Sequence, residues 1–286
     1  MPVKYFDIKF GLVFGAGLFV LGLVLQLLLG PVEWSVLHCP WNLVTLAAMV
    51  AVLLVLHFFR DRYRFIRWLS DMSCATAALL WCAAMTVLMG LLRQRGVSAA
   101  AWPGFHGMTS NWSFTLMFLW LCTSVLMALF RLSFPLSFSA KKIAFLSSHL
   151  GILTMLAAGT FGSADFSSAK LQVEIGQTVW NEGVAIELRD FEFEAYDDGT
   201  PKDYRSYVAV HMPDGTVEDA VIEVNKPYSH GSLKVYQSGY DPDKGAFSIL
   251  EAVRDPWLPA VFVGIMLTLL GALLRFFRIA GASSKE

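Results

Sequence analysis

Histidine is the ionisable residue that this 286-residue chain places inside an apolar run. His149 follows Lys142 by seven residues, which puts it about 10 Å further along a helix. An imidazole in hydrocarbon is costly unless it is hydrogen-bonded or coordinated. Two interpretations remain open at this point. The ring is either an axial ligand of a haem iron, which takes neutral imidazole in an apolar pocket, or a structural histidine bonded to a neighbouring helix.

Three further histidines are candidate ligands with competing interpretations. His57 lies near the end of an apolar run, where it either reaches interfacial water or joins His149 on one haem. His38 and His106 lie in two tryptophan-flanked loops, LHCPWN and FHGMTSNW, that resemble a weak internal repeat. If the repeat is real, these two suit bis-histidine ligation of a second haem. The alternative is that they are loop histidines without a ligand.

The elements that must position these side chains are membrane-spanning helices. Hydrophobic residues make up 56% of the chain and charged residues 16%, and the mean hydropathy is +0.54. A hydrocarbon core of about 30 Å needs about 20 apolar residues. Six runs qualify, and they predict an integral membrane α-helical bundle with six transmembrane helices: 10–29, 42–59, 72–92, 112–132, 143–162 and 257–277.

The distribution of lysine and arginine predicts the orientation of the bundle. Cationic flanks precede the first run, follow the second and sixth, and separate the fourth from the fifth, whereas the opposite short loops hold Arg93 and Arg95. Positive flanks stay in the cytoplasm. We therefore expect both termini to be cytoplasmic and residues 163–255 to be extracytoplasmic. The formal net charge of −1 indicates no nucleic-acid partner.

Residues 163–255 differ in character from the rest of the chain. Alternating runs such as VAIELRDFEFEA and SYVAVHM, separated by turn sequences, predict an inserted antiparallel β domain, either a small sandwich or an open barrel. His211 and His230 are expected to be ordinary residues of this domain. The predicted organisation is a five-helix bundle at 1–162, the β domain at 163–255, and a sixth helix with a cytoplasmic tail at 256–286.

Three motifs in the second half of the chain resemble the ResB-type cytochrome c biogenesis proteins. The first joins Val224–Pro227, Gly231 and Val235–Tyr240. The second is SILEAVRDPWLPAVFVGIMLTLLG, in which Arg-Asp-Pro leads into the last run. The third is His149–Leu153, HLGIL, on the helix before the β domain. The chain is therefore similar to this family over about 143–277.

The resemblance implies one half of the System II haem-handling machinery of the bacterial inner (cytoplasmic) membrane. In that family haem b is carried across the membrane and joined to the CxxCH site of apocytochrome c. The family's membrane histidine, a haem ligand, corresponds to His149. The other half is a CcsA-type subunit with a tryptophan-rich outer motif, and no WGxxWxWD-like run occurs here. The chain carries no evident catalytic residues, so any enzymatic role is at most a share in a synthase complex.

Two other functions remain as alternatives. The first is a haem b electron carrier to or from quinone, with His57 and His149 on the inner side and His38 and His106 on the outer side. The second is a non-haem membrane assembly scaffold. The arginine-rich run RDRYRFIR at 60–67 suits haem propionates at a cytoplasmic entrance. Its other interpretation is an orienting charge that also attracts anionic lipid.

Overall fold

The computed structural model describes residues 6–92, 94, 105, 107–134, 139–181, 183–198, 200–240 and 247–283. It divides into two compact units, residues 1–164 with 258–286, and residues 165–257. The first unit is helical and the second is built from strands. His106, Arg93 and Arg95 lie outside the described residues.

Seven α-helices are present in the part of the chain that the structure describes: α1 Ile8–Leu29, α2 Trp41–Phe58, α3 Arg64–Leu69, α4 Met72–Leu91, α5 Trp112–Ser133, α6 Ala140–Phe161 and α7 Leu258–Ser283. All except α3 are long and apolar enough to cross a membrane. The six predicted spans are therefore confirmed, and the chain is a multi-pass membrane protein.

Polar caps set where three of these helices begin, and at α5 the Asn111 side chain accepts from the Ser113 amide at 2.8 Å. The Asp7 carboxylate accepts from the Phe10 amide at 2.9 Å, and the Ser139 hydroxyl accepts from the Lys142 amide at 3.3 Å. Each cap accepts from an N–H of the first helical turn, where the usual partner four residues back is missing. Because α6 starts at Ala140, His149 lies in the first half of a 22-residue helix.

Aromatic rings form the centre of the helical unit. Trp68 of the short helix α3 is 2% exposed and packs edge-on against Phe10 and Phe14 of α1. Trp120 of α5 closes the cluster, with its ring centroid 6.1 Å from that of Trp68. Short helix α3 was absent from the sequence prediction because six residues are too few to show a period. It carries this central side chain nonetheless.

Helices α6 and α7 pack along a line of small residues. A Cβ on Gly264 would lie 2.8 Å from the Gly151 carbonyl oxygen, and a Cβ on Gly271 would lie 2.6 Å from the Ser148 nitrogen. Small residues allow this close approach of membrane helices. A Cβ built on Gly151 would lie 2.5 Å from the Gly264 carbonyl oxygen, so helix α7 occupies the space beside this glycine.

Among its described residues, the second unit contains eight strands in two antiparallel sheets. The strands are β1 Ser167–Glu174, β2 Thr178–Asn181, β3 Val184–Ala195, β4 Pro201–His211, β5 Val217–Glu223, β6 Tyr228–His230, β7 Leu233–Tyr240 and β8 Phe247–Arg254. Their order is β1-β8-β7-β6 in one sheet and β2-β3-β4-β5 in the other. The predicted antiparallel β domain is confirmed. Strands β2 and β6 were missed because each has four residues or fewer.

The two sheets pack face to face, so the sandwich alternative is the observed one. Val235 and Leu250 of one sheet share a fully buried cluster with Leu188 and Val210 of the other. A polar link also crosses the interior, where the buried Ser206 hydroxyl lies 2.6 Å from Gln237 Oε1 and 2.8 Å from the Ser248 hydroxyl. Buried polar groups paired in this way fix the register of the two sheets.

The NKP motif of the family resemblance is a turn. Asn225 has φ of 64°, a left-handed conformation that asparagine tolerates better than most residues. The Lys226 amide donates to the Glu223 carbonyl at 3.1 Å and closes the turn. Gly231 has φ of 57° and turns β6 into β7. These motif residues therefore shape the path of the chain.

The Asp214 turn predicts acid sensitivity of the β unit. The Thr216 hydroxyl, at 2.6 Å, and the Thr216 amide, at 2.9 Å, both donate to Asp214 Oδ1 and hold the pKa of this carboxyl below its ordinary value of 3.8. Stabilisation by a group with a lowered pKa is present above the ordinary value and disappears as pH falls through the folded-state value. We expect Asp214→Ala to lower the unfolding temperature of the β unit at pH 7. The difference from wild type should shrink below about pH 4, as measured by circular dichroism across pH. An unchanged difference at the lowest pH would contradict this role.

Candidate functional site

An apolar groove of about 580 Å³ opens along α4, α5 and α6. Most of its walls are aliphatic or aromatic, and a few polar side chains lie among them. Its lining residues are Ser70, Asp71, Met72, Ala75, Thr76, Leu79, Leu121, Val125, Ala128, Arg131, Leu132, Phe145, His149, Ile152 and Leu156. The volume falls in the range of ligand pockets, about 300–1,000 Å³.

His149 is the histidine that lines this groove. Its Nδ1 lies 3.0 Å from the Phe145 carbonyl oxygen, one helical turn back. A carbonyl accepts only, so Nδ1 carries the proton and donates, and the neutral ring keeps its lone pair on Nε2. Metal-binding histidines use the same arrangement, with one ring nitrogen donating to a carbonyl or carboxylate and the other free to coordinate.

Phe145 restrains the orientation of this imidazole. The two ring centroids are 3.7 Å apart and the planes differ by 19°, so the rings are stacked. The Arg275 guanidinium of α7 lies 5.9 Å from the centre of the Phe145 ring. Stacking and the hydrogen bond together hold the His149 ring in one orientation, which is the preorganisation that a ligand site requires.

A charged pair marks one end of the groove. Arg131 Nη1 lies 3.2 Å from Asp71 Oδ1 and 3.2 Å from the Ser70 carbonyl oxygen. The Arg131 side chain is 49% exposed, so it also remains accessible to a ligand. Guanidinium binds carboxylates through paired hydrogen bonds. The groove thus combines apolar walls and an available imidazole nitrogen with a cation that suits carboxylates, and this set of groups fits haem.

His57 lies in different surroundings. It is 4% exposed and packs among the rings of Phe58, Phe130 and Phe134, at centroid distances of about 6 Å. Its Nε2 lies 3.4 Å from Arg60 Nη1, and within the described residues its buried Nδ1 has no hydrogen-bond partner. It does not line the groove that contains His149. The structure therefore does not bring these two histidines together in one pocket.

The other candidate histidines are distributed over both units. His38 ends a short 3₁₀ helix in an exposed loop, with Nδ1 3.4 Å from the Cys39 carbonyl oxygen. His106 lies outside the described residues, so its pairing with His38 stays a prediction. His211 lies 3.2 Å from Glu187 on the β-sheet surface, and His230 lies 3.6 Å from Glu218.

The arginine-rich run at 60–67 interacts mostly with itself. Asp61 lies 3.8 Å from Arg60 and 3.6 Å from Arg67. None of these arginines lines the groove. The cation at the end of the groove is Arg131. In the sequence, Arg131 is one of several orienting charges between the fourth and fifth spans. The signal available in the sequence was the place of Arg131 at the end of the span that precedes the His149 helix.

A second apolar groove of about 400 Å³ lies beside the C-terminal half of α6. Its walls include Trp34, Phe118 and Gly159, and Leu156 lines both grooves. Nothing lies within 4 Å of a Cβ built on Gly159, so this glycine, unlike Gly151, does leave open space. The Thr115 hydroxyl in its wall is buried and has no hydrogen-bond partner within the described residues.

The fold defines a class of protein, namely a multi-pass helical membrane protein with a β-sandwich inserted before its last spanning helix. Residues 139–249 match the model of the ResB-like family. The ResB-type resemblance is confirmed over this region, which contains α6, the helix that carries His149.

Two curated relatives show the same resemblance. Cytochrome c biogenesis protein CcsB from Prochlorococcus marinus strain NATL1A is 29% identical over 98 residues, covering 32% of this chain and 23% of the relative. The protein of the same name from strain NATL2A is 28% identical over the same coverage. The match thus spans less than a quarter of each relative.

Among solved structures, cytochrome c haem lyase CcmF aligns with 96% of this chain and 46% of its own length, at 15% identity and a TM-score of 0.41. That value does not establish a shared fold.

Proposed function

We propose that this protein is a ResB-like subunit of a cytochrome c maturation complex that binds haem and helps deliver it across the membrane. The observation that carries the proposal is the His149 geometry, in which Nδ1 is bonded to the Phe145 carbonyl and the ring lines an apolar groove. The ResB-like match over 139–249 and the relatives named for cytochrome c biogenesis support the same function.

His149 and Arg131 have proposed parts in holding the haem cargo. His149 supplies an axial nitrogen to the iron, and the apolar walls exclude water from the porphyrin face. Arg131 binds a propionate, for which it gives up part of its contact with Asp71. The second axial ligand comes from another histidine or from the partner subunit. This cargo is haem b, the form without a covalent bond to protein, because covalent attachment takes place later on the apocytochrome c.

The membrane orientation is also part of the proposal. Arg131, near the end of α5, and Lys142, near the start of α6, lie with the arginine-rich 60–67 run on the cytoplasmic side. The β unit, residues 165–257, then lies on the outer side of a bacterial inner membrane. Haem enters at the Arg131 end of the groove and leaves toward the outer face. There a CcsA-type subunit presents it to the CxxCH site of an apocytochrome c.

The test combines haem content with maturation of a reporter. The full chain is purified from cells grown with a haem precursor, and a parallel strain co-expresses it with a CcsA-type subunit and an apocytochrome. We expect less than one haem per purified chain, and covalent haem on the reporter only when both subunits are present.

Two other results would overturn the proposal, each in favour of a different function. Full haem occupancy with a reversible low-spin spectrum, and no reporter maturation, would identify an electron carrier. Colourless protein in the presence of excess haem and of its partner would leave a membrane assembly scaffold.

A further inference from the structure

The two outer faces of the β-sandwich differ in charge. On the β2-β3-β4-β5 sheet, strand residues that alternate with the buried core place seven carboxylates outward. Three cations join them, two of which lie at register irregularities and reach this face through ion pairs. The carboxylates are Glu187, Asp190, Glu192, Glu194, Asp203, Asp219 and Glu223, and the cations are Arg189, Lys202 and Arg205. We call this surface the acidic face.

The opposite sheet is balanced. The charged strand residues on its outer face are Lys170, Lys234, Glu174 and Glu251, two of each sign. The two outer faces of this one small domain therefore carry different net charges. An excess of carboxylates on one face is not needed for folding, since the other sheet is solvated without it.

The cations of the acidic face are already paired. Arg189 lies 2.8 Å from Asp219, and Lys202 lies 3.2 Å from Glu194. Arg205 lies 2.8 Å from Asp203 and within 4.0 Å of two further carboxylates. These pairs hold the side chains in place but leave the face with a negative excess. Lys226 extends the pattern at the edge, where it lies 2.6 Å from Glu223.

Exposed apolar side chains lie among these carboxylates. Trp180 is 73% exposed beside Ala185 of β3, and Val217 and Val221 of β5 are 50% and 45% exposed. Tryptophan is enriched among the residues that contribute most to binding at protein interfaces. An indole that is exposed to water among carboxylates suits contact with a binding partner better than contact with solvent.

We propose that the acidic face is the docking surface for a lysine- or arginine-rich polypeptide segment, with Trp180 as its apolar contact. The charge selects this occupant, because a negative face attracts cationic chains and repels nucleic acid and anionic lipid. The carboxylates do not form a metal site either, since no group of three or more suitable ligands occurs within the described residues. This inference deepens the proposed function. The identification of the cationic segment as part of an apocytochrome rests on that function.

The test measures binding of a short fluorescent lysine-rich peptide to the full chain in zwitterionic micelles, by anisotropy. The variant D190N/E194Q removes two charges from the acidic face, and E174Q/E251Q removes two from the opposite face. We expect about three- to tenfold weaker binding for the first pair and less than about a twofold change for the second. Trp180→Ala should also weaken binding, and added salt should weaken binding to wild type.

Equal weakening by both charge pairs would overturn the proposal, because it would show attraction to net charge and not to this face. Equal binding of a glutamate-rich peptide would overturn it as well. Peptide binding needs no haem, so the haem-delivery proposal and the docking-surface proposal can be contradicted independently of each other. A colourless chain that still binds the peptide at this face would contradict haem delivery while leaving the docking surface in place.

Discussion

His149→Ala should reduce the haem that copurifies with the full chain by at least about tenfold. Loss of a residue that merely orients a metal ligand already costs 10- to 100-fold in affinity, and His149 is proposed as the ligand itself. The substitution leaves the apolar walls intact, so the protein should still fold. The measurement is haem per chain, taken from the absorption of the pyridine haemochrome against the protein concentration.

Matched variants separate ligation from general damage. His38→Ala removes an exposed loop imidazole and should leave haem content near that of wild type. His57→Ala tests the pairing of His57 with His149 that the sequence suggested. Free imidazole added to His149→Ala should restore part of the haem absorption, since the truncation leaves room for it beside Phe145. Normal haem content and normal reporter maturation in His149→Ala would refute the ligand role.

Gly271→Leu should have the largest effect on stability. A single Cβ at Gly271 would lie 2.6 Å from the Ser148 nitrogen and 2.7 Å from the Ala144 carbonyl oxygen, both backbone atoms of α6. A side chain cannot be accommodated there unless α6 and α7 separate. Overpacking typically costs 1–3 kcal/mol, and we expect a loss of at least about 3 kcal/mol because backbone must move. Thermal unfolding in detergent, followed by tryptophan fluorescence, measures it.

Gly17→Leu is the control for this substitution. Gly17 lies on the exposed side of α1, and nothing is within 4 Å of a Cβ built on it. The same increase in volume should therefore leave the unfolding temperature within a few degrees of wild type. Similar unfolding temperatures for the two variants would show that α6 and α7 do not pack at Gly271. The helix pair also positions His149, so Gly271→Leu should lower haem content as well.

Hydropathy and alternation were sufficient to locate the main elements. A run of about 20 apolar residues has few stable forms other than a spanning helix, because lipid offers no partner to backbone groups. The six spans therefore follow from local sequence, and so do the longer strands of the β unit. His149 was also visible as a candidate, since an imidazole within such a run needs an explanation.

Tertiary structure decided which side chains share a site. Arg131 and His149 lie on different helices, and the groove that they line exists only because α4, α5 and α6 leave a gap there. No period in the sequence distinguishes Arg131 from Arg60, or Gly151 from Gly159, since each pair has the same residue type in a similar setting. Packing separates them: α7 fills the space at Gly151 and leaves Gly159 open, because close packing depends on which helix faces are neighbours.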